Sequence, residues 1–130
     1  MTGEVLLDTT VAVAHLRGVA VVSQRLAAAQ TRYLPTVALG ELYYGVQRSA
    51  HPEENRQRLE RWLQAVVLVP VSAATAEHYG TSKQQLAQAG TPIPENDLWI
   101  AATALEHGWS LATRDAHFER VPSLIIEDWR

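Results

Sequence analysis

The sequence predicts an α/β fold in which a parallel sheet carries helices on both faces. Three observations carry that prediction. Short apolar runs alternate with helix-period segments five times along the 130 residues. No hairpin signal such as Asn-Gly joins any two of those runs. The run Val66-Val67-Leu68-Val69 is continuous and apolar, the kind of strand buried on both sides in a parallel sheet.

The elements follow in order. Glu4-Val5-Leu6-Leu7 reads as a buried strand that delivers Asp8 at its carboxyl end, with Thr9 and Thr10 as caps for a helix running to Gly18. A second helix covers roughly Ala20 to Gln30. Tyr33-Leu34-Pro35 is a short strand, and the helix after it begins at Thr36, with Val37, Leu42, Tyr44 and Val46 as core positions and Glu41 as a carboxylate among them. Pro52 opens a charged helix with an inner face of Leu59, Trp62, Leu63 and Val66. Arg48, Arg56, Arg58 and Arg61, near or along this helix, read most simply as a solvated face paired with Glu53, Glu54 and Glu60, with RNA contact as the alternative.

Ser72 caps a helix ended by Gly90. Pro92 and Pro94 then punctuate the chain before a polar Glu95-Asn96-Asp97 opening and an apolar helix whose Leu98, Ala101, Ala102 and Leu105 share a face and whose stop is Gly108. A strand at Trp109 to Thr113, a turn at Arg114-Asp115, a short helix through Phe118 and a last strand at Leu124 to Ile126 complete the order, with Trp129 packing the tail. No repeat, low-complexity segment or linker divides the chain, so a single domain over residues 1–130 is expected.

Composition narrows the chemistry. A hydrophobic content of 47% with 19% charged residues suits a globule, and no apolar run approaches a membrane span of about 20 residues. The absence of Cys removes thiolate metal sites and cysteine nucleophiles, and together with the lack of a secretion signal it leads us to expect a cytoplasmic protein. A formal charge of −3 argues against a non-specific basic nucleic-acid binder, although ten of the eleven basic residues are Arg, the residue suited to bidentate phosphate contacts. The five His residues lie at unrelated spacings and read as surface or packing residues.

Four acids stand apart. Asp8 and Asp115 follow strands, Glu41 lies on the helix after the second strand, and Asp97 sits in the first turn of the helix before the fourth. In a parallel sheet all four reach one crevice at the carboxyl edge, provided the loop from Gly90 to Pro94 lifts Asp97 to that edge. Two like charges about 4 Å apart repel by about 4 kcal/mol at an effective dielectric near 20. A hard divalent cation, Mg²⁺ or Mn²⁺, offsets that repulsion and matches an all-oxygen donor set better than zinc does.

At these residues the chain resembles the PIN-domain ribonucleases, and most closely the toxins of VapBC-type toxin–antitoxin pairs. The resemblance runs through Leu7-Asp8-Thr9, Gly40-Glu41-Leu42-Tyr43-Tyr44-Gly45, Asn96-Asp97-Leu98-Trp99-Ile100-Ala101-Ala102-Thr103-Ala104-Leu105 and Ala112-Thr113-Arg114-Asp115. It implies a three-layer α/β/α fold around a five-stranded parallel sheet of order 3-2-1-4-5. It further implies that Asp8, Glu41, Asp97 and Asp115 form a Mg²⁺ or Mn²⁺ site, with Thr9, Asn96 and Thr113 supporting the metal shell. The implied activity is endonucleolytic cleavage of RNA. The implied partners are a second copy of the chain and a VapB-type antitoxin that blocks the cleft, in a larger toxin–antitoxin complex. Arg114, beside the acids, is the phosphate candidate.

Two other functions compete. Phosphoryl transfer through Asp8 wants a second acid two residues on, where this chain has Thr10. A module that binds RNA or protein without cutting has no need to gather four acids against phosphate.

Overall fold

A computed structural model describes residues 3–130. Five strands, β1 (Glu4–Leu7), β2 (Thr31–Pro35), β3 (Val67–Val69), β4 (Ser110–Thr113) and β5 (Ile126–Asp128), form one sheet in the order β3-β2-β1-β4-β5. Every neighbouring pair is parallel. Six helices flank it: α1 (Thr9–Leu16), α2 (Ala20–Ala28), α3 (Thr36–Arg48), α4 (Pro52–Leu63), α5 (Ala73–Ala89) and α6 (Glu95–His107). The strand order reverses between β1 and β4, which leaves a crevice beyond their carboxyl ends. The register Leu7↔Ala112, continued by the Asp8 amide donating to the Ala112 carbonyl at 3.1 Å, brings Asp8 and Thr113 to that crevice.

The core is apolar side chains of the central strands against α1, α3 and α6. Val5, Leu6, Leu7, Leu34 and Leu111 are fully buried, as are Ile100, Ala101, Ala102 and Ala104 on α6. Burying a Leu, Val or Ile of this kind stabilises by about 1.5–3 kcal/mol each. The run of alanines lets α6 lie close to its neighbours. Gly90 and Gly108 end α5 and α6 in the left-handed conformation, φ 71° and 68°. Between Gly90 and α6, Ile93 is buried and the Pro92 carbonyl accepts from Arg120 Nη1 at 3.0 Å, so the loop is pinned to the segment after β4. That pinning carries the start of α6 to the crevice.

Four sequence expectations change here. The 66–69 run is an edge strand: Val67 and Leu68 are 49% and 42% exposed because β3 has a neighbour on one side only. Tyr44, expected in the core, is 64% exposed. The last strand is Ile126–Asp128 rather than Leu124–Ile126, since a turn with Ser123 at φ 68° delays pairing until Ile126 meets Leu111. Asp8, not Thr9 or Thr10, caps α1, accepting from the Val11 amide at 3.1 Å. Trp129 is buried as expected, at 1% exposure.

Candidate active site

Three of the four acids, Asp8, Asp97 and Asp115, are linked at the crevice by hydrogen bonds through Thr113 and His117, while Glu41 is bonded to Thr9 alone. Asp8 leaves β1 into the N-terminus of α1 and is 2% exposed. Its Oδ1 accepts from Thr10 Oγ1 at 2.6 Å and from the Val11 amide, and its Oδ2 accepts from Thr113 Oγ1 at 2.6 Å. Thr113 Oγ1 in turn accepts from the Asp115 amide at 2.9 Å. Thr9 donates from the first turn of α1 to Glu41 Oε1 on α3.

On the other flank, His117 stands between two carboxylates. Its Nε2 lies 2.6 Å from Asp97 Oδ2 and its Nδ1 2.9 Å from Asp115 Oδ1. The Nε2 contact is a hydrogen bond, whereas Nδ1 approaches Asp115 at ion-pair distance. The turn that aims it is local: the Asp115 carboxylate accepts the His117 amide at 3.1 Å and caps the 3₁₀ turn Ala116–Arg120. Phe118, the next residue, is fully buried and anchors that turn.

Electrostatics separates these groups from surface acids. Burial pushes the Asp8 carboxyl above the ordinary carboxylate range, against the lowering effect of Thr10, Thr113 and the Val11 amide. Burial also raises Asp97, and the negative charges of Glu41 and Asp8 raise it further, while His117 opposes the rise. Asp97 therefore feels both acids across the crevice. Carboxylates held above their ordinary range by burial and mutual repulsion are what a hard cation relieves. Potential ligand atoms of Asp97, Asp115 and His117 lie within 4.8 Å of one another. An oxygen-rich set with one imidazole fits a divalent ion.

Asn96 is exposed beside Thr9 and Glu41 on the wall of an open groove. Arg114 sends Nη1 to the Trp129 carbonyl at 2.8 Å and its amide to Thr10 Oγ1 at 3.1 Å, so it braces the tail as well as flanking the acids. His117 is the residue that sequence reasoning missed. Its only local signal was its place two residues after Asp115 in a turn, and its partner Asp97 lies twenty residues upstream.

The PIN-domain family profile matches residues 5–124. The chain is 35% identical over 105 residues to the ribonuclease VapC2 of Rickettsia felis, covering 80% of this chain and 78% of that protein. It is 33% identical over 97 residues to the tRNA(fMet)-specific endonuclease VapC of Salmonella typhimurium, covering 74% of each. Among solved structures, VapBC2 of Rickettsia felis bound to a promoter DNA fragment superposes with a TM-score of 0.92 at 29% identity, over 98% of this chain and 99% of that one. DNA-bound VapBC of Salmonella typhimurium superposes with a TM-score of 0.91 at 28% identity over the full length of both.

Proposed function

The chain belongs to the PIN-domain family, among the VapC ribonucleases, and from that premise we propose that it is an endoribonuclease toxin. In this reading residues 1–130 are a single PIN domain that cuts an RNA phosphodiester, in tRNA, rRNA or mRNA, and so arrests translation and growth. A VapB-type antitoxin holds it inactive in the cytoplasm, within a complex built on a toxin homodimer. The observation that carries the reading is the linkage of Asp8, Asp115 and Asp97 through Thr113 and His117 at the switch point of the sheet, with the charge of Glu41, held by Thr9, felt at Asp97.

Asp8, Asp97, Asp115 and Glu41 would hold Mg²⁺ or Mn²⁺. A divalent ion bound there supplies polarisation of the phosphodiester and a water acidified toward neutral pH. The chain's own residues do the rest. Thr10, Thr113 and the Val11 amide fix the Asp8 carboxylate in one orientation before substrate arrives. Thr9 orients Glu41. His117 holds Asp97 and Asp115 at one spacing and offsets their repulsion when protonated. Asp97 Oδ2 is bonded to His117, and Oδ1 takes part in no hydrogen bond among the described residues. Phosphoryl transfer through Asp8 lacks its second acid, because the position two residues on is Thr10, whose hydroxyl donates to Asp8.

Purified protein is expected to cut single-stranded RNA with Mg²⁺ or Mn²⁺ and to stop with EDTA. Asp8→Asn and Asp97→Asn are each expected to slow cleavage by at least about a hundredfold while remaining folded by circular dichroism. Undiminished cleavage by both variants would overturn the assignment.

A further inference from the structure

We infer that α3 carries an RNA subsite beside the acid centre, with Tyr44 taking a base and Arg48 a phosphate of the strand that flanks the scissile bond. The inference rests on the ribonuclease reading above. An open groove of about 1030 Å³ is lined by Glu41, Asn96, Tyr44 and Arg48, and by Arg17 just after α1. Tyr44 lines it at 64% exposure, and the Arg48 guanidinium lies over its ring, 4.7 Å from the centroid. The two residues are one helical turn apart, so the stack is built into α3.

The adjacent tyrosine shows what a satisfied ring looks like on the same helix. The Tyr43 hydroxyl donates to Glu60 at 3.2 Å, and Arg56, which lies over the Tyr43 ring, is itself paired with Glu60. Among the described residues Arg17 and Arg48 form no ion pair. An exposed ring with an unpaired guanidinium on one face is the platform that sequence-tolerant stacking of single-stranded bases uses. Two unpaired arginines also supply what the acid centre lacks, positive charge for the phosphates on either side of the cut.

Gly40 supports the same assignment. It lies one turn before Tyr44 on the same face, and a Cβ added there meets nothing within 4 Å. Glycine in mid-helix is unfavourable relative to alanine. No internal packing demands it here, and the missing side chain leaves the groove open at that point.

The test is anisotropy of a fluorescent single-stranded RNA of about ten nucleotides, measured in EDTA, alongside KM for its cleavage with Mg²⁺. Tyr44→Ala is expected to weaken affinity and raise KM about tenfold, and Tyr44→Trp to restore both. Arg48→Gln should lower the slope of log affinity against log salt by about 0.7, one phosphate contact on a single strand. Gly40→Leu should block binding while its thermal midpoint holds or rises. If the parent protein cleaves and all of these variants keep its affinity, KM and salt slope, the subsite is overturned and the ribonuclease reading stands. If they keep RNA affinity but no longer co-purify with the antitoxin co-expressed from the adjacent reading frame, the groove is a protein-binding one and the subsite is likewise overturned. A parent that neither binds nor cuts RNA overturns both readings together.

Discussion

The two flanks of the acid centre are held in different ways. On the β1 side, Asp8 is 2% exposed and is fixed by two hydroxyls and an amide, three uncharged donors that leave its charge uncompensated. On the α6 side, Asp97 and Asp115 are 19% and 38% exposed and share one imidazole that can carry a compensating charge. The first arrangement fixes geometry at an electrostatic penalty. The second offsets charge and leaves more freedom at the rim. The acid centre thus pairs one rigidly held carboxylate with two whose spacing depends on a single side chain, so the halves should respond differently to substitution.

The largest difference is expected at His117. His117→Ala removes the bridge between Asp97 and Asp115 and leaves the donors to Asp8 untouched. Loss of a residue that orients metal ligands typically lowers activity or metal affinity by about 10–100-fold. Cleavage rates measured across a Mg²⁺ titration should fall by that factor and need more metal to saturate. Unchanged rates at every metal concentration would make His117 a bystander and the two flanks equivalent.

Thr113 joins the flanks, since its hydroxyl donates to Asp8 and accepts from the Asp115 amide. Thr113→Val keeps the shape of a side chain that is 2% exposed and strands both partners. Leaving buried polar groups unsatisfied costs about 1–3 kcal/mol. For a chain of this size that is a drop in thermal midpoint of about 5–10 °C by calorimetry or circular dichroism. Thr9→Val, which touches only Glu41 at the half-buried rim, should lower it less. Equal drops would show that the β1 flank is not the more tightly constrained half.

The same contrast explains what the sequence disclosed. Part of the β1 flank comes from short spacings, a strand, then Asp8, then a helix start with Thr10 and the Val11 amide, and such patterns survive in a linear reading, whereas the Thr113 donor comes from β4. Parallel pairing was legible because helix-length segments separate the first four strands, whereas the strand order came from the family resemblance. His117 was not legible. Its partner comes from α6, and no periodicity records a contact between residues twenty apart that meet through a loop and a 3₁₀ turn. Val67 and Leu68 misled in the opposite sense, because apolar content alone does not tell a central strand from an edge one. The exposure of Tyr44 belongs with these: a tyrosine at helical spacing reads as core until the neighbouring helices are placed.

The smallest expected effect is also the most direct probe of uncompensated charge. In metal-free protein the folded-state pKa of Asp8 lies above its ordinary value of 3.8, chiefly through burial. Above that raised pKa the carboxylate is ionised in folded and unfolded chains alike, and the folded state bears the penalty. As pH falls through the raised pKa toward 3.8, the folded chain takes up the proton first, so Asp8 destabilises progressively less. Asp97 shifts in the same direction, while Asp128, held at about 2 by Arg130, pulls the opposite way at lower pH. Asp8→Asn leaves the Asp128–Arg130 contact intact, so the difference between the two melting curves isolates Asp8. In EDTA the variant is expected to melt higher than the parent near neutral pH, and the gap should close as pH approaches 4. Saturating Mg²⁺ should remove the gap from the other side by stabilising the parent alone. A gap that stays constant with pH would mean that the three donors compensate the Asp8 charge fully, and the β1 flank would then need no cation.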